Sequence, residues 1–393
     1  MAVELPDELL TNVIRASQVH CLMAARNEGD GARISPWISS DRYGPLESEA
    51  NSIVLGMDQF GHHAFSRASL DYFIARYNPA GFLTTGYTLM GTGWHLWVLG
   101  EHHSLTGDDD WLRSHADDVA RVCRWIVAQR AKTEGVDAHG ERTPESGLVP
   151  PGVVADWGMY AYRFCMEAHY CAGLRDAARA LTAIGHPDGP AFAAEAEAFR
   201  DDLVRAYRWA QARTPAMRVS DGTFTPGVPS MVHCFGKTGE FFAGEDWNRS
   251  WAGDVEIGPH HLAALGLMDP ASRDVDGMVA TLEDYWFLQD GMGAYPGEAS
   301  RADWYHLGGF SKVQPYYTRV AEIHALRDDV KPFIRAYFNA IPSLLNCENL
   351  SFWEHFHNTG GWNKTHETGW FLTQTRTMLV TERGSELWLA PFV

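Results

Sequence analysis

"YTLMGTGWHLWVLGEHHSLTGDDDWLRSHADDVARVCRWIVAQR", residues 87–130, sets two unlike helical patterns side by side. The first, predicted over 87–103, is apolar nearly all round. The second, predicted over 109–132, has a charged side and an apolar side and follows a start signal at Asp108 to Asp110. A helix that is apolar on every side belongs where protein surrounds it, whereas a two-faced helix belongs at a surface. The short join between them makes the pair antiparallel.

Working outward, the same alternation recurs. "MYAYRFCMEAHYCAGL" (159–174) is again apolar all round, and "AFAAEAEAFRDDLVRAYRWAQAR" (191–213) is again two-faced. Twelve helices are predicted, at 6–27, 47–61, 65–77, 87–103, 109–132, 158–184, 189–212, 255–267, 272–287, 307–326, 329–345 and 367–382. Pro6-Asp7 and Pro187-Asp188 mark starts, and Gly185 and Gly266 mark stops. Short joins alternate with six long connectors, at 28–46, 78–86, 133–157, 213–254, 288–306 and 346–366. All the long connectors then lie on one face, together with the N-termini of the even-numbered helices. The expected fold is all-α, an (α/α)6 toroid spanning 1–385 with inner even and outer odd helices. Small β excursions are expected in the loops, near 213–240. Residues 386–393 read as a terminal strand, or as the start of a C-terminal β-domain in a longer parent protein.

Composition narrows the function. The 393-residue chain is 45% hydrophobic and 21% charged, as a chain with a sizeable core should be. Its fifteen Trp, fourteen Tyr and nineteen Phe either fill that core or stack on sugar faces. A net charge of −18 opposes binding to nucleic acid and anionic membranes, both of which select Lys and Arg surfaces. The six cysteines show no CxxC pair or metal spacing. With no signal-peptide pattern at "MAVELPDELL", the expected location is cytoplasmic.

The long connectors carry the polar residues. Acid beside Trp recurs at Asp156-Trp157, Asp246-Trp247, Asp303-Trp304 and Trp353-Glu354. A carboxylate accepts hydrogen bonds from sugar hydroxyls while the adjacent ring covers the apolar face of the sugar. Glycoside hydrolysis needs two carboxyl groups across the scissile bond, one of them protonated. The first connector offers Asp41, Glu47 and Glu49, and the last offers Glu354 and Glu367. Glu49 and Glu367 read as helix-start caps or dipole partners. The expected catalytic set is therefore Asp41 or Glu47 as acid and Glu354 as base. Trp37, Arg42, Asp156, Trp157, Trp247, Arg249, Asp303, Trp304, Trp353, His355, Trp362, Lys364 and His366 are the expected sugar contacts.

His355 and His357 form an HxH on an irregular loop, which is not a recognised ligand spacing, and HExxH is absent. No metal and no other cofactor is expected. His260, His261, Glu167, His169, Arg319 and Glu322 fall on inner helices and read as satisfied core polar groups.

Together, these features resemble the six-hairpin glycosidases. "TRTMLVTERGSELWLAPF" (375–392) is similar to their exit from the last inner helix. Among them, α-L-rhamnosidase-like members have an acid-bearing segment that "SDRYGPLE" (40–47) resembles, with Asp41 at the catalytic acid position, Gly44 at the glycine and Glu47 at the second acid. Pro45 stands where that family has Trp. Ala155-Asp156-Trp157 is similar to their GDW loop, and Ser351-Phe352-Trp353-Glu354, with the turn Asn363 to His366, to the loop of their proposed base. The resemblance implies an inverting, exo-acting glycoside hydrolase. The toroid also hosts lyases and epimerases. His306, His355, His357 and Tyr305 would serve such chemistry, and a non-catalytic carbohydrate-binding toroid remains a third reading.

Overall fold

The computed structural model describes residues 3–85, 90–154, 157–219, 221–236, 238, 254, 256–283, 314, 318–354 and 362–393. Twelve helices are defined among them: α1 (Glu8–Ala24), α2 (Ala50–Gln59), α3 (His63–Ile74), α4 (Met90–Thr106), α5 (Asp109–Arg130), α6 (Phe164–Ala183), α7 (Gly189–Gln211), α8 (His261–Ala264), α9 (Arg273–Ala280), α10 (Val320–Leu326), α11 (Val330–Leu344) and α12 (Thr365–Leu379). Five antiparallel hairpins decorate the connections: β1 (Arg26–Glu28) with β2 (Arg33–Ser35), β3 (Gly152–Val154) with β4 (Trp157–Ala161), β5 (Met217–Arg218) with β6 (Phe224–Thr225), β7 (Leu345–Asn346) with β8 (Ser351–Phe352), and β9 (Val380–Arg383) with β10 (Glu386–Leu389).

Local chemistry explains many of the boundaries. Asp7 accepts from Leu10 N (2.8 Å) and Asp108 from Trp111 N (3.1 Å), each satisfying a donor that a helix start leaves open. Asp188 precedes α7 as expected, but its side chain makes no capping bond; it pairs with Arg124 instead. Gly185 and Gly266 end their helices with positive φ.

Burial separates the helices as their hydrophobic patterns predict. Thirteen of the seventeen residues of α4 are buried, against ten of the twenty-two of α5. Sixteen of twenty are buried in α6 and twelve of fifteen in α12, against nine of twenty-three in α7.

Two expected helix segments are strands. Residues 158–161, predicted to open the sixth helix, belong to β4, which pairs Gly152↔Ala161 and Val154↔Trp157. Here Met159 is buried and Tyr160 exposed, a period of two that the apolar run concealed. The last helix stops at Leu379 rather than 382. Val380 is extended (φ −149°), and β9 turns at Gly384 (φ +61°) into β10. The predicted terminal strand is therefore one half of a hairpin, and behind it Phe392 stacks on Phe333 at 4.5 Å.

By packing, the chain divides into two compact units, one of residues 1–72 with 287–393 and the other of 73–286. In the first, α12 packs on α2, α1 and α10, and α10 on α11. Ile53, Val54, Trp370, Phe371 and Tyr337 lie in its core. In the second, α6 packs on α4, α5, α7 and α8 around Trp94, Tyr170, Phe199 and Tyr207. No described helix is long and apolar enough to cross a membrane.

Glycines set the closest helix approaches in both units. A Cβ on Gly93 of α4 would lie 2.6 Å from the Tyr170 backbone of α6, and one on Gly173 would strike the Gly93 carbonyl. In the first unit, a Cβ on Gly56 of α2 would strike the carbonyl of Gly369 on α12, and one on Gly369 that of Ser52. Gly173→Ala and Gly369→Ala should each lower unfolding free energy by about 1–3 kcal/mol through overpacking. Gly277→Ala on two-faced α9, whose nearest neighbour is 3.4 Å away, should change it by less than about 1 kcal/mol. Urea unfolding measures all three, and equal effects at the three sites would refute this account of the packing.

Candidate active site

The predicted carboxylates of the first and last connectors all belong to the first unit, where backbone pairing joins the two segments. Ser39 and Lys364 form an antiparallel bridge. Thr365 N donates to Ile38 O (3.0 Å), Thr365 Oγ1 to Trp37 O (2.7 Å), and Lys364 N to Phe352 O (2.8 Å). Ser52 Oγ of α2 donates to the His366 carbonyl at 2.9 Å. Asn363 turns the chain into this register from the left-handed region (φ +49°), which Asn tolerates better than most residues, and its amide donates to Ser40 Oγ.

Asp41 and Glu354 both sit on this seam. Ser39 Oγ lies 2.8 Å from Asp41 Oδ1, and Arg42 Nε lies 3.5 Å from Asp41 Oδ2. The Ser39 hydroxyl, followed by the Arg42 charge, holds the Asp41 carboxyl below the usual carboxylate range. An exposed, ionised Asp41 is the opposite of what a general acid requires. Glu354 is mostly buried, and its Oε1 accepts from Lys364 Nζ at 2.6 Å. The Lys364 ammonium also lies 4.2 Å from the centre of the Tyr43 ring.

The remaining predicted residues fall into distinct settings. Glu47 is 2% exposed, one turn before α2, and its carbonyl accepts from the Asn51 amide. Glu49 is the N-cap of α2 but makes no side-chain capping bond. Trp37 is half-buried beneath the Arg26 guanidinium (4.8 Å), Trp353 is half-buried, and Trp362 is exposed. His366 has no exposed surface; its Nε2 lies 2.7 Å from Gln314 Oε1 and 3.4 Å from Glu367 Oε1. Lys364 is equally enclosed, so neither of these expected sugar contacts reaches solvent here. Trp157 is described only by its backbone in β4. Asp156, Trp247, Arg249, Asp303, Trp304 and His355 lie outside the described residues, as do Asp246, Tyr305, His306 and His357.

The sequence reading misses Ser39 and Tyr43. Both flank the predicted Asp41, but their partners lie at the far end of the chain, beyond any local pattern.

In the second unit, burial favours the protonated form of three carboxyls, Glu101, Glu167 and Asp254. Burial pushes Glu167 well above its ordinary range, although Val149 N donates to it at 3.0 Å. Burial also raises Asp254, against hydrogen bonds from Ser230 and Thr238. Asp254 and His260 line a cavity of about 310 Å³, and Phe82, Trp125 and Tyr160 line one of about 460 Å³. None of Asp41, Glu47 and Glu354 lines either cavity. Among the described residues, Cys165, His169 and His261 place ligand-type atoms within 4.8 Å of one another. Each imidazole there already engages a main-chain carbonyl: His169 Nδ1 with Cys165 O at 2.8 Å, and His261 Nε2 with Glu256 O at 2.7 Å. His169 also stacks on Trp94 at 3.9 Å.

No protein-family profile and no curated protein sequence matches the chain. Solved structures do. A wild-type glycosidase aligns over 95% of this chain and 99% of its own, at 13% identity and TM-score 0.56. A glycosidase with a Glu-to-Ala substitution, in complex with glucose, covers the same shares at 12% identity and TM-score 0.59. A bacterial glucoamylase complexed with acarbose aligns over 94% of this chain and 55% of its own, at 10% identity and TM-score 0.56. The likeness shows the fold, an (α/α)6 toroid of helical hairpins.

Glu167 yields a pH prediction. Its folded pKa lies above its ordinary value of 4.5, so the associated stability is complete below that value and is lost as pH rises through the folded pKa. Glu167→Gln keeps an acceptor for Val149 N and removes the titration. Unfolding free energy of the native chain should fall between about pH 5 and pH 8, and the fall should be smaller in the variant. Denaturant unfolding across that range decides it; identical pH slopes would count against the assignment.

Proposed function

We propose that this chain is a glycoside hydrolase that removes a terminal neutral sugar with inversion. Glu354 acts as the base and a first-connector carboxyl as the acid. One observation carries the reading: the Ser39–Lys364 seam gathers Asp41 and Glu354 from opposite ends of a chain whose fold is that of glycosidases. Glucose and acarbose in the two ligand-bound neighbours favour a glucose-configured substrate over the rhamnose suggested by "SDRYGPLE".

Glu354 takes a proton from a water molecule whose oxygen attacks the anomeric carbon. The departing glycosidic oxygen takes a proton from the acid, so a turnover ends with Glu354 protonated and the acid ionised, and proton exchange with water restores both. Of the two candidates, Glu47 is assigned as the acid. The choice rests on Asp41, whose anion Ser39 and Arg42 stabilise, which disfavours it as a proton donor. Asp41 and Arg42, both exposed, are assigned to the sugar hydroxyls, with Trp362 and Trp37 covering its apolar face.

A panel of 4-nitrophenyl glycosides that includes the α-D-glucoside and the α-L-rhamnoside tests this reading. Turnover of the glucoside is expected, with Glu354→Gln and Glu47→Gln each lowering kcat by about 10²–10⁴-fold while circular dichroism stays native. Proton NMR of the first-formed sugar should show the anomer opposite to that of the substrate. Undiminished turnover by Glu354→Gln removes the proposed base, and a retained anomer removes inversion.

A further inference from the structure

We infer that Lys364 is a positioning residue for Glu354, holding the carboxylate ionised and in one orientation; this rests on the reading of Glu354 as the base. A sugar-binding lysine needs an ammonium that reaches solvent. Here Lys364 is 2% exposed, and its ammonium is 2.6 Å from Glu354 Oε1 and 4.2 Å from the centre of the Tyr43 ring. An opposite charge at that distance favours the charged carboxylate, and burial of the pair limits screening by salt.

Three features fix the lysine in turn. Its main chain donates to Phe352 O (2.8 Å) and bridges to Ser39, and the preceding Asn363 is buried with its amide on Ser40 Oγ. Phe352 opens the Trp353–Glu354 segment, so the backbone that carries the base and the ammonium that pairs with it are tied together. Tyr43 completes the arrangement: the negative face of its ring receives a cation without competing for it as a second carboxylate would.

Other charged groups on the packed elements remain when Lys364 alone is changed. Among the described residues they include Arg26, which donates to Ser40 O at 2.9 Å, the Asp41–Arg42 pair on the first connector, Glu47 and Glu49 before α2, and the His366–Glu367 pair opening α12. A change in Glu354 titration on replacing Lys364 therefore reports the ammonium.

The test compares wild type, Lys364→Met and Lys364→Arg, each as the full chain labelled with ¹³C at the glutamate carboxyl. The Glu354 resonance is identified by its loss in Glu354→Gln. Its titration midpoint should move up by about 1–3 pH units in Lys364→Met and by much less in Lys364→Arg. With 4-nitrophenyl α-D-glucoside, the acidic limb of kcat/KM should move up by the same amount in Lys364→Met, with kcat reduced and KM little changed. Coincident midpoints in wild type and Lys364→Met would overturn the inference, as would a KM increase at constant kcat, the signature of a sugar ligand. Full turnover by Glu354→Gln would instead remove the base assignment, and the carboxyl titrations would still report whether Lys364 governs the charge of Glu354.

Discussion

In the first unit, everything at the candidate site depends on how closely α2 and α12 approach. Gly56 and Gly369 let the two backbones meet where any Cβ would intrude, and Ser52 spans the same contact to the carbonyl of His366. Each helix is preceded by a long connector, so fixing the helices fixes where the connectors end. The seam of Ser39 with Lys364, and of Thr365 with Trp37 and Ile38, follows from that approach. Dispersion and burial thus locate the polar residues, and hydrogen bonds then orient them.

Along this seam, two carboxylates of similar chemistry meet different surroundings. Asp41 lies at the surface with a hydroxyl and a guanidinium, so water shares in its stabilisation. Glu354 is mostly buried against the Lys364 ammonium, which itself lies on the Tyr43 ring, and the protein carries most of its solvation. Such division of environment allows neighbouring acids to perform different tasks. The acidic surface implied by a charge of −18 leaves this contrast intact, since local partners at 2.6–2.8 Å outweigh charges spread over the rest of the molecule.

The fold was legible in the sequence because burial writes itself into hydrophobic period. Helices such as α4 and α6 are apolar all round, α5 and α7 are not, and short joins between unlike neighbours lead to hairpins. The strand β4 was hidden because an apolar run of Met and Tyr satisfies both periods, and cross-strand pairing with Gly152–Val154 decided the outcome. At the site, Asp41 and Glu354 could be singled out because acids beside aromatics in connectors are locally conspicuous. The burial of Lys364 and His366 could not, since it arises from segments that meet only after folding. Charge identifies a lysine in a sequence; whether that charge faces a sugar or a carboxylate is a tertiary fact.

The two compact units differ in how the ribosome would deliver them. Residues 73–286 form one unbroken stretch, so its packing partners emerge together and can associate while synthesis continues. The other unit is assembled from both ends of the chain. Its α1 and α2 leave the ribosome before α12, and the surface of α2 that Gly56 prepares meets its α12 partner only when α12 is made. During that interval the apolar face of α2 is a liability for aggregation, and closing it requires a contact of very high sequence separation. Assembly of the candidate site therefore waits until α12 has been made, about three hundred residues after α2.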